Sequence, residues 1–161
     1  MITLIRGCSG SGKSSLAKTL IAQAKNGRGS INIEADNWYV DDSNTYNFDI
    51  TEIKNAHAYC KLTTEYYLRK NFHVIVSNTF TTLKEIMPYV ELCVKYGVPL
   101  NIMEPPTSWF NQLNECISKN VHKVPPEIIE NQIKRYEFIV ARNYSVQELQ
   151  NAPDCFTLNR E

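Results

Sequence analysis

Near its amino terminus the chain reads Gly7-Cys8-Ser9-Gly10-Ser11-Gly12-Lys13-Ser14, which satisfies the spacing G-x-x-x-x-G-K-S/T. No other feature constrains the fold as strongly. Glycines at these positions let successive backbone N–H groups curl around a phosphate without a Cβ in the way. Such a loop needs a strand to anchor it and a helix whose positive N-terminal end completes the anion site. Both flanks are present. Residues 2–5 form a short apolar run suited to a buried strand. Leu16, Ala17, Leu20, Ile21 and Ala24 share one face of a helix expected over 13–25. In this arrangement Lys13 reaches the β and γ phosphates of ATP, and Ser14 offers its hydroxyl to Mg²⁺. Ser15 extends the expected nucleotide-binding stretch, and Cys8 reads as a small filler within it.

Beyond the loop, strand-like and helix-like patterns alternate, which predicts an α/β fold with a mainly parallel sheet flanked by helices. Strands are expected at 30–33, 72–76 and 99–103. A helix over 52–70 would carry Ile53, Ala56, Cys60 and Tyr67 at helical spacing. Thr82-x-x-Glu85 has the form of a capping box for a helix reaching about 95, and Pro88 inside it predicts a kink or a later start. Gly97 and Asn26-Gly27 are the expected helix terminators. In the last third, a break at 104–107 precedes a helix from 107 or 108 to about 119, a polar turn at 120–125, and a helix opened by Pro126. Ile129, Ile133, Tyr136 and Val140 would line the inner face of that last helix. The segment over about 107–126, with Lys119, His122 and Lys123 in its turn, is expected to form a hinged helical lid. Phe156-Thr157-Leu158 is a candidate edge strand.

A length of 161 residues suits one domain, here expected over 1–161, and needs no covalent staple to fold. No apolar run approaches the roughly 20 residues of a membrane span, and the start carries no secretory pattern, so a cytoplasmic location away from membranes is expected. The five cysteines are odd in number and form no C-x-x-C pair, which favours free thiols. Seventeen basic residues balance seventeen acidic ones, so no global cationic signature for nucleic acid exists. The distribution is uneven: residues 1–33 carry five bases and no acid, and residues 34–52 carry six acids and no base. That pattern fits a phosphate site beside a carboxylate or metal site, and chance surface composition explains it equally well.

Asp36 follows the second strand near the carboxyl end of the sheet, where ligands of open α/β sheets sit. A carboxylate there can orient an acceptor hydroxyl and take its proton, although an N-cap or turn aspartate is the alternative. Glu34 is a weaker candidate for the same work. Ser77-Asn78-Thr79 follows the third strand, where P-loop enzymes commonly place a magnesium-holding aspartate. Here the triplet is neutral; Asn78 and Thr79 remain able to bond substrate or magnesium-bound water, or to serve the turn. Lys119, His122, Lys123 and Arg135 are candidates to fold a cation over the triphosphate, or solvated surface residues. His57 reads as a core histidine or an acceptor contact. Trp38, Tyr39 and Phe48 read as stacking walls or as packing.

The ordered set of motifs resembles the P-loop kinases of the polynucleotide 5′-kinase type, and within them the NEDD4-binding-protein-2-like group. The resemblance covers about 2–138. It rests on the glycine loop, on 32–39 (Asn-Ile-Glu-Ala-Asp-Asn-Trp-Tyr), on Ala56-His57, Ser77-Asn78-Thr79, Pro88-Tyr89-Val90, Met103-Glu104-Pro105 and Thr107-Ser108-Trp109, and on 119–125 and Arg135-Tyr136-Glu137. It implies ATP-dependent phosphorylation of a hydroxyl, typically the 5′-hydroxyl of DNA or RNA. By the same resemblance Asp36 is the general base, Lys13 and Ser14 are the P-loop pair, and Lys119 or Lys123 is the lid cation. The chain departs from that pattern at Tyr39, where the viral kinases carry arginine, at Ser77, and at the lysines of the lid. A nucleoside-like or other small acceptor, and a non-catalytic ATP-binding module, are the competing readings.

Overall fold

The computed structural model describes residues 1–24 and 29–156. Its core is a five-stranded sheet in the order β2-β3-β1-β4-β5, with β1 at Ile2–Ile5, β2 at Ser30–Ile33, β3 at His73–Ser77, β4 at Leu100–Met103 and β5 at Asn143–Tyr144. The first four strands run parallel, and β5 pairs antiparallel to β4. Helices α1 (Lys13–Gln23), α2 (Ile53–Arg69) and α3 (Leu83–Tyr96) connect the parallel strands, as parallel pairing requires.

Alternation along the central strands sorts the side chains to two faces. Ile2 and Leu4 of β1 join Val74 and Val76 of β3 and Ile102 of β4 in the large core, with Cys60 of α2 and Ile86, Tyr89 and Cys93 of α3. Ile5 and Ile75 face the other way, onto Ala17, Leu16 and Leu20 of α1. Ile21 and Ala24, expected on the same inner face of α1, are exposed instead. The turn after that helix, Asn26-Gly27, lies outside the described residues.

Helix α3 starts at Leu83 and runs through Pro88, so the proline neither delays nor ends it. Its capping is displaced by one residue from the expected box. The Thr82 side chain makes no cap, and the Glu85 carboxylate accepts from the Thr81 N–H at 2.6 Å, while Glu137 accepts from the Leu83 N–H at 2.6 Å. At the other end Gly97 takes φ 60°, and the Gly97 and Val98 N–H groups bond the Val94 and Cys93 carbonyls.

The last third departs further from expectation. The helix expected from 107 or 108 is only α4, Leu113–Ser118. Residues 108–111 form a turn that ends at Asn111 with φ 54°, a left-handed conformation that a helix cannot continue through. Helix α5 (Pro126–Lys134) opens on Pro126 as expected and buries Ile129, but Tyr136 and Val140 lie beyond its end. A short α6, Val146–Leu149, follows β5 and carries a full capping box, in which Ser145 and Glu148 cap one another. The fifth strand is thus at 143–144; Phe156 lies in a 3₁₀ turn at Asp154–Phe156, and the rest of the candidate edge strand is outside the described residues. No helix among the described residues is long and apolar enough to cross a membrane.

Arg6 is fully buried directly after β1. It donates to the carbonyls of Phe80 at 3.1 Å and Glu137 at 2.9 Å, lies 3.6 Å from Glu104, and stacks 4.1 Å above the Tyr136 ring. Its substitution by alanine strands those partners. Arg6→Ala is therefore expected to cost about 3–5 kcal/mol of unfolding free energy in a urea titration, and a loss under about 1 kcal/mol would contradict this account of the interior.

Candidate active site at the carboxyl edge of the sheet

Strand register brings the candidate residues to one edge. Ile5 pairs with Ser77 on one side and Met103 on the other, and Ile33 pairs with Val76. The residues that follow these strands, Arg6-Gly7, Glu34, Asn78 and Glu104, therefore emerge together. The Gly7 N–H bonds the Thr79 carbonyl at 3.1 Å and closes the seam between the loops after β1 and β3.

Residues 7–12 curl as the motif requires, with Gly10 at φ 81° and Gly12 at φ 102°. Gly12 is the N-cap of α1 and offers no side chain, so the N–H groups of the helix's first turn remain free for an anion. The Ser11 hydroxyl is buried without a partner. The Lys13 ammonium folds back 3.0 Å onto the Cys8 carbonyl inside the loop. Burial pushes the Lys13 ammonium below its usual range, while the Asp36 and Glu34 carboxylates, among others, oppose that loss. Ser14 and Ser15 are exposed at the start of α1. An unpartnered hydroxyl, open N–H groups and an inward lysine are the donor set a nucleotide phosphate takes, and the exposed Ser14 hydroxyl beside them suits its Mg²⁺.

The loop is gripped from outside by 107–132. Trp109 Nε1 donates to the Gly10 carbonyl at 3.3 Å and Thr107 Oγ1 to the Ser11 carbonyl at 3.1 Å. Asn111 accepts from the Cys8 N–H at 3.4 Å, and the buried Gln132 of α5 accepts from the Ser9 N–H at 2.8 Å. The Cys8 thiol touches that of Cys116 of α4 at 3.3 Å. Burial and this contact push Cys8 up to about 12, so it stays a neutral filler, as expected. Gln132 and Asn111 escaped the sequence reading, because a lone polar residue at a helical or turn position carries no local signal.

Asp36 sits in a 3₁₀ turn, Ala35–Tyr39, directly past β2. Tyr46 donates to its Oδ1 at 3.1 Å, and His122 Nε2 lies 3.8 Å from its Oδ2. The Tyr46 and His122 rings stack at 4.8 Å, so the turn at 120–125 closes over this carboxylate. Burial, followed by the Asp36 charge and hydrogen bond, pushes the Tyr46 phenol far above its usual range. Asn78 is consumed as structure: its Oδ1 accepts from the Ala35 N–H at 2.8 Å and so sets the Asp36 turn. Thr79 meets the loop through its carbonyl.

Other expected residues are placed differently. Tyr39 is buried against Phe48 and Tyr46, so it packs the turn rather than lining an open wall. Trp38 and Phe48 are exposed, with Trp38 tilted on Tyr59. His57 is exposed on α2 and is no core histidine; the buried stripe there runs Ala56, Cys60, Thr64 and Leu68, and His57 turns away from it. Lys119 lies over Trp109 at 4.7 Å and 3.7 Å from Glu115. Lys123, at φ 53°, is exposed and makes no ion pair among the described residues. Arg135 lies 3.9 Å from Glu85, away from Asp36.

A Cβ at Gly10 would overlap the Cys116 carbonyl in a left-handed conformation. Gly10→Ala should therefore destabilise the chain by at least about 2 kcal/mol and abolish ATP binding in calorimetry; a variant that binds ATP normally would contradict the observed grip on the loop.

Comparison with known proteins agrees with this fold. The human NEDD4-binding protein 2 is 32% identical over 142 residues, covering 88% of this chain, which spans only 8% of that protein's length. A chain of the Pnkp1/Rnl/Hen1 RNA repair complex superposes with a TM-score of 0.70 at 14% identity, over 89% of this chain and 47% of that one. The APS kinase of Mycobacterium tuberculosis superposes with a TM-score of 0.53 at 15% identity, over 65% of this chain and 73% of that one. Both share the P-loop kinase fold. The AAA domain family matches residues 2–139, and with the glycine loop, the parallel sheet and this match in hand, the chain belongs to that family.

Proposed function

We propose that this chain is an ATP-dependent phosphotransferase that moves the γ-phosphate of ATP onto a hydroxyl presented at Asp36, with the 5′-hydroxyl of a polynucleotide as acceptor. The observation that carries the reading is the shared sheet edge, to which strand register brings both the phosphate loop after β1 and the Asp36 turn after β2. Similarity to a chain of an RNA repair complex supports a nucleic-acid end as acceptor.

In this reaction the acceptor oxygen bonds to the γ-phosphorus, the bond to the β–γ bridging oxygen breaks, the proton passes to Asp36, and ADP leaves. Lys13 leaves the Cys8 carbonyl for the phosphates and neutralises the charge that develops there. Ser14 would hold the magnesium of the nucleotide, which would help neutralise the phosphate charge. Tyr46 and His122 keep the carboxylate aimed. The segment at 107–126 acts as the lid of a single kinase domain, and Lys123, without an ion pair among the described residues, is its freer cation; Lys119 must leave Glu115 to contribute. The cytoplasm, where ATP and magnesium are plentiful, suits this work.

One observation favours a second acceptor class. Acids dominate 34–52, and exposed Trp38 and Phe48 lie in the same stretch, whereas a polyanionic strand needs cations along its track. A nucleoside-like acceptor escapes that repulsion and would keep the aromatic contacts.

Transfer of labelled γ-phosphate to 5′-hydroxyl DNA and RNA oligonucleotides, beside nucleosides, separates the two. Lys13→Ala should abolish transfer, and Asp36→Asn should lower kcat by about 10²–10⁴ while ATP stays bound. A fully active Asp36→Asn variant would remove Asp36 from its role, and label on nucleosides alone would move the acceptor to the small class.

A further inference from the structure

The third strand of this fold ends in a neutral residue, Ser77, where an acid commonly steadies the magnesium of the bound nucleotide. The structure shows what stands against that serine. Ser77 is buried, and its hydroxyl lies 2.8 Å from Glu34 Oε1 and 2.9 Å from Asn32 Oδ1, sharing its proton between them. Asn32 Nδ2 donates to the same Glu34 Oε1 at 2.8 Å. Both donors thus hold one carboxylate oxygen, and Oε2 makes no hydrogen bond among the described residues. We propose that Glu34, at the end of β2, supplies the carboxylate that steadies the magnesium of bound ATP, with Ser77 as its positioning residue.

The inference rests on the reading that the loop binds Mg·ATP, and deepens it. Three observations support it. Glu34 lies beside Ser77 by register, one residue past the Ile33–Val76 pair, so its charge stands at the place the missing acid would take. The Glu34 charge is among those that oppose the loss of charge on the Lys13 ammonium inside the loop. Asp36, the other acid acting on Lys13, is engaged by Tyr46 and His122 and serves the acceptor. Magnesium dehydrates reluctantly and is usually held by one or two carboxylates plus phosphate oxygens, so one carboxylate acting through bound water suffices.

Manganese serves as the probe. Its affinity for the protein with a non-hydrolysable ATP analogue is read by electron paramagnetic resonance, in the whole chain, with no acceptor present. Glu34→Gln should weaken manganese binding about 10- to 100-fold, the usual loss for an outer-shell carboxylate, with nucleotide affinity measured in EDTA unchanged. Ser77→Ala should weaken it less, and Asp36→Asn should leave it close to wild type. Ser77→Asp in the Glu34→Gln background should restore binding, which a purely structural role of Glu34 would not allow. Wild-type manganese affinity in a folded Glu34→Gln variant overturns the proposal alone. Loss in Asp36→Asn instead reassigns the carboxylate and overturns it too. Failure of the wild-type chain to bind the nucleotide overturns the phosphate-loop reading together with this proposal.

Discussion

Everything at the working edge of the sheet hangs on the buried guanidinium of Arg6. A charge taken out of water is costly unless its donors are met and a counter-charge is near. Arg6 meets that demand with backbone carbonyls from the loop after β3 and from the stretch after α5, with Glu104 after β4, and with the face of Tyr136. Those partners come from three separate parts of the chain, and the planar fork of arginine suits several fixed acceptors at once in a way lysine does not. The residue after Arg6 is Gly7, so the anchor and the start of the phosphate loop are adjacent along the chain. Tyr136 in turn donates to Glu104 at 2.9 Å, which closes the ring around the cation.

The loop is accordingly held from two sides. Inside, Arg6 and the Gly7–Thr79 bond tie it to the sheet; outside, Trp109, Thr107, Asn111 and Gln132 bind its peptide groups. A phosphate site gains most from N–H groups that are already aimed, because no reorganisation is then left to the moment of binding. The same segments that grip the loop lead into the turn carrying His122, which reaches Asp36. The loop and the Asp36 turn are thus coupled through packing that any opening of 107–126 would break, so a lid motion that spares the loop must leave Thr107, Trp109 and Asn111 in place and move the 120–125 turn alone.

The glycine loop, the four parallel strands and helices α1 to α3 were legible because their signals are local: a spacing motif, apolar runs and helical periodicity. Asp36 was legible because it follows a readable strand. What was not legible depends on partners distant in sequence. Arg6 counted only as one of five early bases, since nothing near it announces carbonyls more than seventy residues away. Asn78 looked like a ligand group, yet the Ala35 N–H claims it. The helix expected at 107 was lost to the left-handed Asn111, whose conformation apolar periodicity does not encode. The antiparallel β5 is two residues long, too short for any alternation to register.

The two carboxylates beyond β2 show why spacing alone does not assign roles. Glu34 and Asp36 are two residues apart and both act on Lys13, yet their partners differ in kind. Glu34 is held by a buried hydroxyl and an amide at the end of the sheet, donors that orient it. Asp36 is held on a turn by a phenol and an imidazole that come from the loop after it and from the 120–125 turn. Donors fixed to the sheet suit the magnesium role proposed for Glu34, and partners on two loops suit the acceptor role proposed for Asp36. The neutral Ser77 is then no defect: with an acid there, three carboxylates would crowd beside Lys13, and like charges so close cannot all stay ionised without cost. On the proposed roles, serine at the strand end leaves the chain one carboxylate for the magnesium and one for the acceptor, both acting on the same lysine.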